Sequence, residues 1–160
     1  MTPRGSVPRM RHWLVACSLA LATPLVTAQS PGFVAYTVTG LGSAGGTAGV
    51  VGEARIPVRA ADVTSEGGTV RIVASSARAS IRRITLGITA PMAGQRYEVG
   101  EGTTLLARFA SGNERAPDPG RGWIQVDVAD PSRIAGTFEA TFHQGRIPID
   151  VRGRFEAPLP

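Results

Sequence analysis

Ile134-Ala135-Gly136-Thr137-Phe138-Glu139-Ala140-Thr141-Phe142-His143-Gln144-Gly145-Arg146-Ile147-Pro148-Ile149-Asp150-Val151-Arg152-Gly153-Arg154-Phe155 decides the fold. Both arms alternate apolar with polar residues around a central Gln-Gly pair. A period of two sustained over ten residues marks a strand with one buried face. Two such arms flanking a glycine-containing pair read as a β-hairpin. With Gln144-Gly145 as the two-residue turn, Phe142 faces Ile147, Ala140 faces Ile149 and Phe138 faces Val151, so one face is apolar throughout. The same register sets Glu139 opposite Asp150, puts Arg152 diagonal to Glu139, and brings Arg146 near His143.

The same alternation recurs upstream. Residues 33–39, 50–58, 69–75, 80–89 and 122–129 read as strands, with Pro57 marking an edge or a bulge. In residues 122–129, Ile124, Val126 and Val128 oppose Trp123, Gln125 and Asp127. Residues 97–99 and 103–109 form one interrupted strand or two short ones around Gly100-Glu101-Gly102, and Asp130-Pro131-Ser132 is a turn. Residues 110–122, rich in Gly, Pro and charge, read as the longest exposed loop. Sustained helical spacing is missing after Ser30. About eight short strands with short links indicate a single all-β domain, an antiparallel β-sandwich or, alternatively, a small closed β-barrel. Arg55-Ile56-Pro57-Val58 echoes Arg146-Ile147-Pro148-Ile149, but four residues make no repeat.

The first 28 residues read differently. Arg4, Arg9 and Arg11, then an apolar run of about 14 residues from Trp13 to Val26, then Thr27-Ala28-Gln29 follow the order of a secretory signal peptide. The expected cut precedes Gln29 and leaves residues 29–160 as one domain, periplasmic or secreted. The run is shorter than the roughly 20 residues of a spanning helix, so no membrane span is expected in the mature chain. Leu14-Val15-Ala16-Cys17 resembles a lipid-attachment box but lies too close to Arg11-His12, and cleavage at Ala28 discards Cys17. The exported part then has no cysteine, which excludes disulfides, thiol chemistry and cysteine metal sites. Three of the 17 basic residues leave with the leader, so 14 arginines face 12 acids. The chain lacks lysine altogether, and arginine-only usage beside abundant Ala, Gly and Pro points to coding bias, so no nucleic-acid partner is expected.

Candidate chemistry is sparse. Gly40-Leu41-Gly42-Ser43-Ala44-Gly45 spells a dinucleotide fingerprint with Asp62 about 20 residues on, yet the residues after it are too rich in Gly and Val to open the required helix. Glu139 and Asp150, if paired, place two carboxylates together, where arginines within reach favour a solvated charge cluster. His143, the one histidine after the leader, sits beside the proposed turn with no Gly-x-Ser-x-Gly or His-Glu-x-x-His motif to serve. No catalytic residue, cofactor or metal site is assigned. Arg115, Arg121 and Trp123, with Arg96 and Tyr97 at another strand-loop junction, are the candidate binding residues, because arginine and large aromatics concentrate in binding hot spots. The competing reading has the 110–122 loop covering Trp123 in a second small core.

Ser132-Arg133-Ile134-Ala135-Gly136-Thr137-Phe138-Glu139, followed after Gly145 by Ile147, Ile149, Val151 and Gly153-Arg154-Phe155, resembles the terminal hairpin of uncharacterised secreted bacterial β-sandwich proteins. These often run Ile-Ser-Gly-Thr-Phe, then Gly, then a strand ending Gly-x-Phe. Ala135 stands where serine is usual, and the likeness covers about 25 of the 160 residues. It implies an exported or lipid-anchored domain of unknown role, and no active-site residues carry over. The leading expectation is therefore a non-enzymatic domain binding an envelope or secreted protein through its loops. A barrel carrying a small apolar ligand is the second reading, and an eight-stranded outer-membrane barrel, short of aromatic girdles, the third.

Overall fold

The computed structural model describes residues 31–40, 50–110 and 112–160. The expected leader, with Cys17, and the glycine-rich stretch 41–49 lie outside them. The described chain forms β1 (Gly32–Thr39), β2 (Val50–Val58), a 3₁₀ turn (Ala60–Asp62), β3 (Val63–Glu66), β4 (Thr69–Ser75), β5 (Ile81–Thr89), β6 (Arg96–Glu98), β7 (Thr103–Phe109), β8 (Glu114–Arg115), β9 (Gly122–Asp130), β10 (Arg133–Gln144) and β11 (Ile147–Pro158). One sheet has the order β2-β1-β11-β10-β9-β6, the other β3-β4-β5-β7-β8, with every pairing antiparallel. Two open sheets make a β-sandwich. The closed-barrel alternative is not the fold adopted.

The central hairpin differs from its sequence register. Gln144 pairs with Ile147, so the turn is Gly145-Arg146 and not Gln144-Gly145. Gly145 has φ +66° while Arg146 stays at negative φ, the sign pattern of a type II′ turn, which wants glycine first. A Gln-Gly turn would put glutamine at a position where its Cβ is penalised. The correction is a shift of two residues, which leaves every side chain on its expected face. Partners change, however: Phe142 faces Ile149, Ala140 faces Val151 and Glu139 faces Arg152.

The new register brings two Gly-x-Phe triplets together head to tail. Gly136 pairs with Phe155, and Phe138 pairs with Gly153. A Cβ on Gly153 would enter the ring of Phe138 and crowd the Ala35 carbonyl on β1, and one on Gly136 would run into the Gln125 carbonyl on β9 and lie 3.0 Å from Cζ of Phe155. Each ring thus lies over bare backbone on the neighbouring strand, the arrangement in which an aromatic covers a strand glycine.

Above this pair the core fills with Tyr36, Ile56, Ile124, Phe142 and Val151 from the larger sheet and Ile72, Ile84, Leu86, Ile88 and Leu105 from the smaller, none more than 1% exposed. Phe109 and Phe142 meet edge to face across the layers, centroids 5.7 Å apart and planes at 77°. Burying each such side chain contributes about 1.5–3 kcal/mol. Tyr36 spans the sandwich and its hydroxyl is satisfied twice, accepting from the Ile81 N–H at 3.0 Å and donating to the Ile81 carbonyl at 3.2 Å.

Further departures from the sequence reading have local causes. In β9, Asp127 is an extra residue opposite the Ala135/Gly136 step, and this bulge reverses parity. Val128 therefore leaves the inner face, and Ala129 packs on the core instead. β3 and β8 were not expected, since Val-Thr-Ser-Glu and Glu-Arg carry no apolar alternation. β3 is formed by the turn that follows it, where Gly67 and Gly68 both take positive φ, +57° and +77°, as a type I′ hairpin requires.

Asp130 holds the β9–β10 turn. Its Oδ1 accepts from the Ser132 N–H at 2.8 Å, the Ser132 hydroxyl at 2.7 Å and the Arg133 N–H at 2.9 Å. The Ser132 hydroxyl, followed by the Ser132 and Arg133 backbone donors, pulls the carboxyl below the ordinary aspartate value. A depressed folded-state value gives stability present above the unfolded value and lost as pH falls through the folded one. Asp130→Asn is accordingly expected to flatten the acid limb of the stability curve below about pH 4, read by thermal melts across pH. Gly153→Ala should cost about 1–3 kcal/mol by denaturant titration. Phe138→Ala should cost about 3–5 kcal/mol, and the double variant less than the two costs added, because the added methyl fills space the ring vacates.

Candidate interaction surface

β6 is a three-residue edge strand in register with β9: Arg96 with Gln125, Tyr97 with Ile124, Glu98 with Trp123. Strand alternation sends Arg96 and Glu98 outward and Tyr97 inward, against the core. Tyr97 therefore does not share the outer face with Arg96 and Trp123. Its hydroxyl instead accepts from the Met92 N–H at 2.8 Å and donates to the Ala90 carbonyl at 3.0 Å. That pair closes the turn before β6, in which Ala90 takes φ +49° and Met92 projects with 59% exposure. Two backbone bonds, Gly94 N–H to the Val126 carbonyl and Val126 N–H to the Gln95 carbonyl, fasten the turn to β9.

Arg96 and Trp123 are brought into contact. The guanidinium carbon lies 4.2 Å from the indole centroid, and Nε is 3.2 Å from Glu98. Such a stack contributes about 0.5–1 kcal/mol at an exposed site. Trp123 is half-buried, with Glu98 and Glu139 as its partners on the flanking strands. The 110–122 loop makes its buried contact elsewhere, through Pro117, whose Cγ would lie 2.9 Å from a Cβ on Gly122. The group stacked on the indole is Arg96.

The remaining predicted residues lie where that loop crosses from the smaller sheet to the larger. Arg115, on edge strand β8, donates from Nη1 to the His143 carbonyl at 2.6 Å. Arg121 is exposed, and its carbonyl accepts from the Thr141 N–H at 2.8 Å, extending the β9–β10 ladder past Gly122. Between them Asp118 donates its N–H to the Thr141 carbonyl at 3.0 Å, and its carboxylate lies 2.5 Å from Nδ1 of His143. Sequence reading left Asp118 aside, since nothing in residues 110–122 announces a partner 25 positions downstream.

His143 thus has the orienting carboxylate that a nucleophilic triad needs. Among the described residues no hydroxyl or thiol is hydrogen-bonded to the imidazole, and the neighbouring Thr141 hydroxyl is engaged with Asp150 at 2.7 Å. The Asp118–His143 pair acts as a clasp on the loop. The Glu139–Asp150 carboxylate pair does not form, because the shifted register gives Glu139 to Arg152 at 3.0 Å. Two further outward pairs form on the same sheet, Arg154 with Glu53 at 3.0 Å and Arg133 with Glu156 at 3.5 Å. Among the described residues no three His, Cys, Asp or Glu side chains converge as a metal would require, and no helix is long and apolar enough to cross a membrane.

No protein-family model, curated protein or solved structure matches the chain. Site assignments rest on the geometry above.

The clasp makes a measurable claim. Asp118→Asn should cost up to about 1 kcal/mol, the range of an exposed ion pair, and Arg115→Ala, which removes a hydrogen bond to the His143 carbonyl, about 1 kcal/mol. Either change should speed hydrogen exchange at the Asp118 and Thr141 amides while leaving the Phe138 amide protected.

Proposed function

We propose that this chain is an exported, non-enzymatic binding domain that engages a protein or other component of the cell envelope through the corner formed by β6, Trp123 and the 110–122 loop. The Arg96–Trp123 stack beside an open edge strand carries this reading. Tryptophan, arginine and methionine are the residues enriched at interfaces, and here Arg96, Trp123 and an exposed Met92 come from β6, β9 and the turn that precedes β6. Arg115 and Arg121 belong to the loop side of the same corner, their backbone and side-chain bonds to β10 holding them in place. The leader sequence supports a periplasmic or secreted location.

A carrier of a small apolar ligand is the competing reading. It needs a lined interior, whereas the space between these sheets holds Tyr36, Phe138, Phe142 and Phe155. That packing favours the surface reading over the carrier.

Native mass spectrometry of residues 29–160 purified from their own envelope without detergent tests the proposal. A co-purifying protein or envelope component is expected, lost in Trp123→Ala and in Arg96→Ala but retained in Phe33→Ala on the far side of the same sheet. A hot-spot truncation costs about 2 kcal/mol or more, enough to weaken affinity some thirtyfold. A retained small apolar mass, or an adduct indifferent to Trp123, would overturn it.

A further inference from the structure

The end of the smaller sheet holds a cleft of about 570 Å³, within the size range of small-ligand sites. Its lining includes Ser75, Ser76, Arg82, Arg108, Phe109 and Ala110, with two guanidinium groups and no carboxylate among the described residues. This composition follows from a bulge in β5. Ile81 pairs with Phe109 and Arg83 with Arg108, so Arg82 is an extra residue. The insertion keeps Ile81 fully buried on the inner face while setting Arg82 and Arg83 in succession beside Arg108.

The bulge is fixed from three directions. The Tyr36 hydroxyl, reaching across the sandwich, holds both the N–H and the carbonyl of Ile81. The Ser76 N–H donates to the Arg82 carbonyl at 2.9 Å, and the Ala110 N–H to the Ser80 carbonyl at 3.0 Å. The backbone that carries Arg82 is therefore set before any ligand arrives, which lowers part of the ordering cost of binding.

Charge at this point is unbalanced. Arg83 and Arg108 face each other across the ladder, a like-charge pairing that destabilises a sheet. Glu114 is the carboxylate beside them: it lies opposite Arg108 in the β7–β8 register, but its oxygen is taken by Arg83 at 3.4 Å and the Thr85 hydroxyl at 3.1 Å. Arg82 and Arg108 make no ion pair among the described residues. Ser76 Oγ accepts the Arg78 N–H at 3.3 Å, which leaves its own proton to donate.

We propose that this cleft is an oxyanion site that takes the carboxylate or phosphate group of a small solute between Arg82 and Arg108, with the Ser76 hydroxyl as a further donor. Guanidinium groups bind such planar or tetrahedral oxyanions through paired charge-assisted hydrogen bonds. The site stands apart from the Arg96–Trp123 corner and does not depend on it.

The test is a titration of the isotope-labelled chain with sodium phosphate and, separately, sodium citrate at constant ionic strength, followed by amide shifts. Saturable shifts are expected at Ser76, Arg82 and Ala110. Arg82→Ala and Arg108→Ala should each weaken binding about tenfold or more, as loss of a hydrogen bond to a charged group implies, while Arg71→Ala on the same sheet changes nothing. Tighter phosphate or tighter citrate identifies the preferred headgroup, and either supports the site. Shifts that never saturate, or an affinity unchanged in the Arg82→Ala/Arg108→Ala double variant, would overturn it.

Discussion

The larger sheet is organised around two aromatic rings lying on glycine backbone, Phe138 over Gly153 and Phe155 over Gly136. β10 and β11 are its inner strands, and β1 and β9 take their registers from them. Because side chains alternate, a one-residue slip anywhere in this hairpin would turn Phe138, Ala140, Phe142, Ile149 and Val151 out of the core. A two-residue slip keeps the faces but sets each ring against a Cβ in place of bare backbone. The reciprocal glycines penalise the slip that hydrophobic parity leaves unpenalised, and the glycine-first turn at Gly145 favours the same register.

A second constraint ties the layers together. Tyr36 is almost wholly buried, so its hydroxyl must find partners within the protein. It finds them on the Ile81 backbone, where β5 bulges and departs from regular pairing. An apolar contact would hold the sheets at a distance, but this pair of hydrogen bonds also sets how one lies over the other. Packing in the middle and directional bonding at the end thus divide the work of fixing the sandwich.

The strands were legible in sequence where one face is buried and the other wet, because parity alone then reports the fold. β4, β7, β10 and β11 are of this kind, and their bounds lie close to those read from alternation. The register of the hairpin was not legible from parity, which is blind to an even shift; turn chemistry at Gly145 carried that information. β8 is defined by two ladder pairs and left no pattern to find, whereas β3 had an unread signal in Gly67-Gly68. Of the surface residues, Arg96 and Trp123 meet because β6 pairs with β9, passing over β7 and β8, a topology no local pattern contains. Tyr97 was legible in principle: with Arg96 and Glu98 both outward, the residue between them points in.

The pairing of β1 with β11 bears on how such a chain is made. The first described strand forms seven register pairs with the last one, from Phe33 with Glu156 to Thr39 with Asp150. β2, which follows closely in sequence, pairs with one edge of β1, but the other edge waits for β11, more than a hundred residues on. Contacts of such long sequence separation form late and slowly. The larger sheet is thus completed only when β11 is in place, and until then the paired β1 and β2 present an open edge able to accept a wrong strand.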